Sequence, residues 1–164
     1  MTGRPGAAVW VWGSNKMQVD FYHLTSPLDR VLPRIAERVV ATGGRLLIVA
    51  EPEDQRVALD RLLWSYAPES FLPHAQAGSN DDTAQPILIA QDIQETAPAN
   101  AARNVAVVDG RWRDLILTFD RAFHIFDDEA IQEARLAWKA LADRNGVERR
   151  YWKQNDSARW EQAA

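Results

Sequence analysis

The sequence has no cysteine. Disulfides and thiolate zinc sites are therefore excluded, and the chain suits a reducing cytoplasm. Long apolar runs are also missing. The longest, such as Leu46–Ala50 and Val105–Val108, fall far short of the ~20 residues that a membrane-spanning helix needs. Glycine-rich phosphate loops are absent: there is no GxGxxG after a strand and no GxxxxGK[ST]. The one double glycine, Gly43–Gly44, enters a strand instead of leaving one, so it reads as a helix C-cap and not as a phosphate cradle. No GxSxG elbow or HExxH occurs, and His23, His74 and His124 lie far apart, so no metal site is expected. Positive charge is in short supply, with 19 Lys and Arg against 23 Asp and Glu, a net charge of −4 and a pI near 5.4. A protein that lives on nucleic acid phosphates needs a basic excess.

What is present is enough apolar sequence, 46% over 164 residues, for one domain with a real core. "MQVDFYHL" alternates and reads as a strand. Thr25 or Ser26 can cap a helix starting near Pro27, with Leu28, Val31, Leu32, Ile35 and Val39 as its apolar stripe. "RLLIVAE" is a continuous apolar strand, and Pro52 opens a second helix carrying Val57, Leu59, Leu62 and Leu63. "PILIAQD" and "VAVVDG" are further buried strands, a short helix is expected within 111–122, and "AFHIFD" is a fifth strand. Asp127 or Asp128 caps a long last helix that runs towards Gly146. The tail after it shows no clear period. The alternation predicts an α/β fold: a single three-layer α/β/α domain with a mostly parallel sheet, nucleotide-fold-like but without a phosphate-binding loop. Residues 1–16 differ in kind and read as an N-terminal extension or upstream-start artefact, with the domain spanning 17–164.

Two features stand out. "LLWSYAPESFLPHAQAG" (62–78) crowds Trp64, Tyr66, Phe71 and His74 into a helix end and its exit loop. The pattern fits either core packing or an aromatic docking surface. The second is charge asymmetry. Residues 135–164 hold seven bases against four acids, in a chain that is acidic overall. Ile131, Arg135, Trp138 and Lys139 fall on one face of the last helix. Arg beside an aromatic suits a peptide that ends in an apolar side chain and a carboxylate. The same spacing also fits an amphipathic helix with Trp138 in the core. Asp109, at a strand's C-terminal end before Gly110, is either a turn residue or the acid of a small hydrolase.

The "LW" with "PESFLPH", the "PILIA" strand, the "ARLAWK" helix and the "YWKQNDSARWE" ending together resemble the chi subunit family of bacterial DNA polymerase III holoenzyme. The resemblance covers roughly 17–162. It implies a non-catalytic accessory subunit of the clamp-loader complex, without a cofactor. Its expected partners are the psi subunit and the acidic C-terminal tail of single-stranded DNA-binding protein, so it meets DNA only indirectly, in the cytoplasm at the replisome. It also implies psi contacts at Trp64, Phe71, Pro73 and His74. The tail pocket would be at Arg135, Trp138 and Lys139, with His124 at its edge. An adaptor for a repair helicase using the same surfaces, and a small α/β hydrolase, are the competing readings.

Overall fold

A computed structural model describes residues 16–66 and 72–164. Eight strands form one sheet: β1 (Met17–His23), β2 (Leu46–Val49), β3 (His74–Gln76), β4 (Ile87–Ala90), β5 (Asn104–Val107), β6 (Arg121–Phe126), β7 (Val147–Gln154) and β8 (Trp160–Gln162). Their order is β3-β4-β2-β5-β6-β1-β7-β8. Every pairing is parallel except β7 with β8. The helices are α1 (Leu32–Ala41), α2 (Glu53–Ser65) and α3 (Ile131–Ala140). The expected three-layer α/β/α architecture is what forms.

The central strands need apolar residues on both sides, because both sheet faces are covered. "LLIV" in β2 is buried throughout. Leu32 and Ile35 of α1 and Leu59 and Leu63 of α2 share one core with Leu46, Ile48 and Ile89. Ala134 and Ala137 of α3, with Ile116 and Phe119, share the other with Val19, Phe21 and Val107. Successive side chains of a strand point to opposite faces. Phe21 and Tyr22 therefore belong to different cores, as do Tyr151 and Trp152.

Gly43 and Gly44 do end α1. Gly43, at φ 81°, and Gly44 donate their N–H groups to the carbonyls of Val40 and Val39, both at 2.9 Å, which is the Schellman arrangement. Three expectations are corrected. The Pro27 start is a short 3-10 turn (Leu28–Arg30), and α1 proper begins at Leu32. The last helix is shorter than expected: Asp127 caps a 3-10 turn by accepting from Glu129 N–H at 3.0 Å, and α3 ends at Ala140. Tight bonds from Ala142 N to Lys139 O and from Arg144 N to Leu141 O then lead to Gly146 at φ 81°. The tail is not irregular, since it supplies β7 and β8. The 1–16 extension, apart from Lys16, lies outside the described residues.

Candidate functional site

Around α3 the second core comes to the surface. Phe21 of β1 is fully buried and forms the hub. It stacks on Trp112 at 5.7 Å and on Tyr151 at 6.2 Å, both with an interplanar angle of 8°, and takes Trp138 edge-on at 5.3 Å. Trp138 also meets Tyr151 edge-on at 5.5 Å. Offset-stacked and edge-to-face rings are the favoured arrangements of aromatic quadrupoles. Trp138 is half-buried, and the Arg149 guanidinium lies 3.9 Å over its ring. Arg149 Nη1 also donates to Trp138 O at 2.6 Å. Arg135 and Lys139 are exposed beside this nest. Burial pushes the Tyr151 phenol above its ordinary pKa, and the positive charge of Arg135 acts in the opposite direction, so that guanidinium lies within electrostatic reach of Tyr151.

His124 is placed otherwise than expected. It lies fully buried beneath the nest and not at its edge, against Phe21, Trp112 and Phe126 at 5.5, 5.2 and 5.6 Å. Neither ring nitrogen has a protein hydrogen-bond partner. Burial lowers its pKa to about 4, with Asp109 opposing and Arg113 assisting. The ring is therefore neutral at pH 7 and serves as packing. Trp112 is a member of the nest that sequence reasoning did not single out. Its backbone N–H donates to the Glu133 carboxylate on α3, and its indole N–H to Asp114 Oδ1 at 2.8 Å. Arg149 was also missed. Its signal was the alternation of Val147, Arg149 and Tyr151 along β7, which puts all three on the α3 side.

The second aromatic group sits at the end of α2. Trp64 is 59% exposed, and its ring lies 4.7 Å from that of His74. His74 is itself buried. Its Nδ1 lies 2.6 Å from Leu72 O, and its Nε2 lies 3.2 Å from both the backbone oxygen and the carboxylate of Asp60. His74 thus ties β3 to α2 beneath Trp64, while the indole carries the exposed surface. Pro73 is half-buried next to it. Phe71 lies outside the described residues.

Asp109 is a clasp. Burial pushes its carboxyl up, but donors from Arg113 at 2.8 and 2.9 Å, with the backbone N–H groups of Glu51 and Arg111, outweigh it and hold it below the usual range. Its acceptor positions are taken, which leaves little to act as a base. The crevice at the carboxyl ends of the strands, about 820 Å³, is lined by Asp127, Asp128, Glu129 and Glu133. Carboxylates there repel a phosphate instead of cradling it. Among the described residues no cluster of His, Asp and Glu could hold a metal ion, and no helix is long and apolar enough to cross a membrane.

Fold and site together define an α/β domain of the nucleotide-fold type that lacks a phosphate loop and presents aromatic, partly basic surfaces instead. Residues 17–148 match the family described as DNA polymerase III chi subunit, HolC, and the chain belongs to that family. Similar relatives carry the same name. DNA polymerase III subunit chi of Escherichia coli is 37% identical over 65 residues, 40% of this chain and 44% of that protein. Its counterpart in Pseudomonas aeruginosa is 32% identical over 104 residues, 61% of this chain and 62% of that one. A probable DNA polymerase III subunit chi of Rickettsia prowazekii is 27% identical over 86 residues, 52% and 51% of the two chains. The chain thus spans between 44% and 62% of the length of these relatives.

Proposed function

We propose that the protein serves DNA replication as a non-catalytic accessory subunit of the DNA polymerase III holoenzyme. In this reading it links the clamp loader, through psi, to the acidic C-terminal tail of single-stranded DNA-binding protein, and it works in the cytoplasm at the nucleoid. Family membership supports the replication role. The observation that carries the tail site is the exposed Arg135 beside the Trp138–Tyr151–Phe21 nest. A tail ending in an apolar residue has two needs: a cation for its terminal carboxylate and an apolar wall for its last side chain. Arg135 offers a planar bidentate fork for the carboxylate. Trp138 offers the wall, already oriented by Arg149 on one face and by Phe21 and Tyr151 at its edges. Lys139, one turn on, adds charge for acidic residues further up the tail.

The psi contact falls to Trp64, with Pro73 beside it and His74 as the support beneath the indole, because exposed Trp is an interface anchor. Phe71 remains part of this proposal from the sequence. The test uses a labelled tail peptide and immobilised psi against the same protein. Arg135→Ala is expected to lose the peptide and keep psi, and Trp64→Ala to do the reverse. Loss of both ligands in either variant, or of neither in both, contradicts two separate surfaces.

A further inference from the structure

On the opposite sheet face the described helices stop before the sheet does. α1 and α2 cover β2 to β6, Tyr22 of β1 is buried at the end of the first core, and Trp152 of β7 and Trp160 of β8 pack against it half-buried. Trp160 meets Tyr22 edge-on at 4.9 Å, and Trp152 stacks on Tyr22 at 6.2 Å. A cleft of about 690 Å³ opens here between α1 and the β7–β8 hairpin, floored by Tyr22 and Trp160. Its rim carries Arg30, Arg34 and Arg38 from the α1 side and Arg159 from the hairpin. Arg34 and Arg38 are four residues apart on α1 and share one ridge, about 6 Å apart along the axis, while Arg30 joins the rim from the 3-10 turn before it. All four are exposed, and none makes a side-chain hydrogen bond or ion pair among the described residues. Among the described residues that line the cleft, Asp29 is the one carboxylate.

The cleft is held open by design of the loops around it. Gln154 Oε1 accepts from the backbone N–H groups of Thr25 and Ser26 at 2.7 and 3.0 Å, and its amide nitrogen donates to Ala158 O at 3.2 Å. One side chain thus fixes the hairpin tip to the loop that leads into α1. Asn155 Oδ1 fixes the tip itself by accepting from the N–H groups of Ser157 and Arg159 at 2.9 and 3.0 Å.

We infer that this cleft is a second docking site, for an acidic peptide segment of a partner protein with an aromatic or aliphatic residue among its carboxylates. Charge complementarity selects the class: four arginines against one carboxylate among the described lining residues, around an aromatic floor, in a chain of net charge −4. A long phosphodiester strand would feel the acidic remainder of the molecule along its length. A short acidic segment feels mainly the local arginines and can be gripped bidentately. The site lies on the sheet face opposite α3 and does not depend on the tail reading.

The experiment uses the full chain and a fluorescein-labelled peptide of alternating Glu and Phe, followed by anisotropy and by tryptophan emission. Wild type and Arg135→Glu are expected to bind it with a change in emission that Trp160→Leu removes. Arg34→Glu combined with Arg38→Glu is expected to weaken binding about tenfold or more, as for loss of charged hydrogen bonds. Unfolding midpoints report folding; both arginines are exposed, so the midpoint of the double variant is expected to stay within a few degrees of wild type. Absence of binding to wild type, or equal binding by the correctly folded double variant, overturns the proposal. So does an oligothymidylate that binds wild type more tightly than the peptide and is lost in the double variant. Loss of binding in Arg135→Glu alone assigns the peptide to α3 and also overturns it.

Discussion

His124 is a buried base without protein hydrogen-bond partners, and its chemistry has a consequence for stability. Its pKa is lowered to about 4 in the folded protein, against about 6.5 in an unfolded chain. Between these values the unfolded state binds the extra proton, so stability is full above pH 6.5 and falls as pH drops towards 4. The depressed carboxyls of Asp82, Asp109 and Asp120 act in a lower window, because their lowering starts from 3.8. Urea unfolding of His124→Leu should therefore show a flatter profile between pH 6.5 and 4.5 than wild type, with stability at pH 7 kept or raised. An unchanged profile would mean that the ring is hydrated or paired in solution. A second contrast concerns Trp64 and His74. Trp64→Ala removes an exposed ring and should cost about 1 kcal/mol or less of stability, yet about 2 kcal/mol or more of psi binding. His74→Ala should cost about 1–3 kcal/mol of stability, since it strands the buried Leu72 O and removes the tie to the half-buried Asp60. Paired denaturation and psi-binding titrations separate the two roles.

Among the elements, those with strong periodicity were legible. "LLIV", "ILIA" and the Leu32–Val39 stripe announce buried strands and an amphipathic helix, and Gly43–Gly44 announces its end. β3 was missed because three residues following Pro73 are too few to show a period. β7 was missed because its burial is intermediate on both sides. With no helix among the described residues covering β7 and β8 on the Tyr22 side, Trp152 and Arg150 sit where an apolar run would normally mark a central strand. The same openness makes the arginine cleft. Gln154 holds the hairpin there through both ends of its amide. Gln154→Ala should cost about 1–2 kcal/mol, and amide hydrogen exchange at Arg159–Gln162 should rise while β1 to β6 stay protected. Uniform exchange throughout would show that the hairpin is held by other contacts.

Across the whole molecule the two aromatic surfaces with basic rims lie on opposite faces of one sheet, while the strand ends carry carboxylates. The net charge of −4 is compatible with a protein that reaches DNA through partners instead of through its own surface. The candidate site was partly legible. That Arg135, Trp138 and Lys139 share one face was readable from helical spacing, because one helix positions all three, but their proposed docking role came from the family resemblance. Trp112, Arg149 and Phe21 were not, because they come from other elements and meet only in the folded chain. Binding at α3 should weaken as salt rises, since an exposed guanidinium is screened over about 8–10 Å near physiological ionic strength. Fluorescence titrations at several salt concentrations would show a falling affinity, and a flat response would leave only apolar contacts at work.

At the proposed tail site Arg135 meets a terminal carboxylate beside Trp138. Titrating wild type and Arg135→Ala with a labelled peptide of the single-stranded DNA-binding protein tail tests it directly. Loss of the guanidinium is expected to cost about 1.5–3 kcal/mol, the worth of a hydrogen bond to a charged group, with no change in unfolding midpoint. Equal affinity of the two proteins would contradict it.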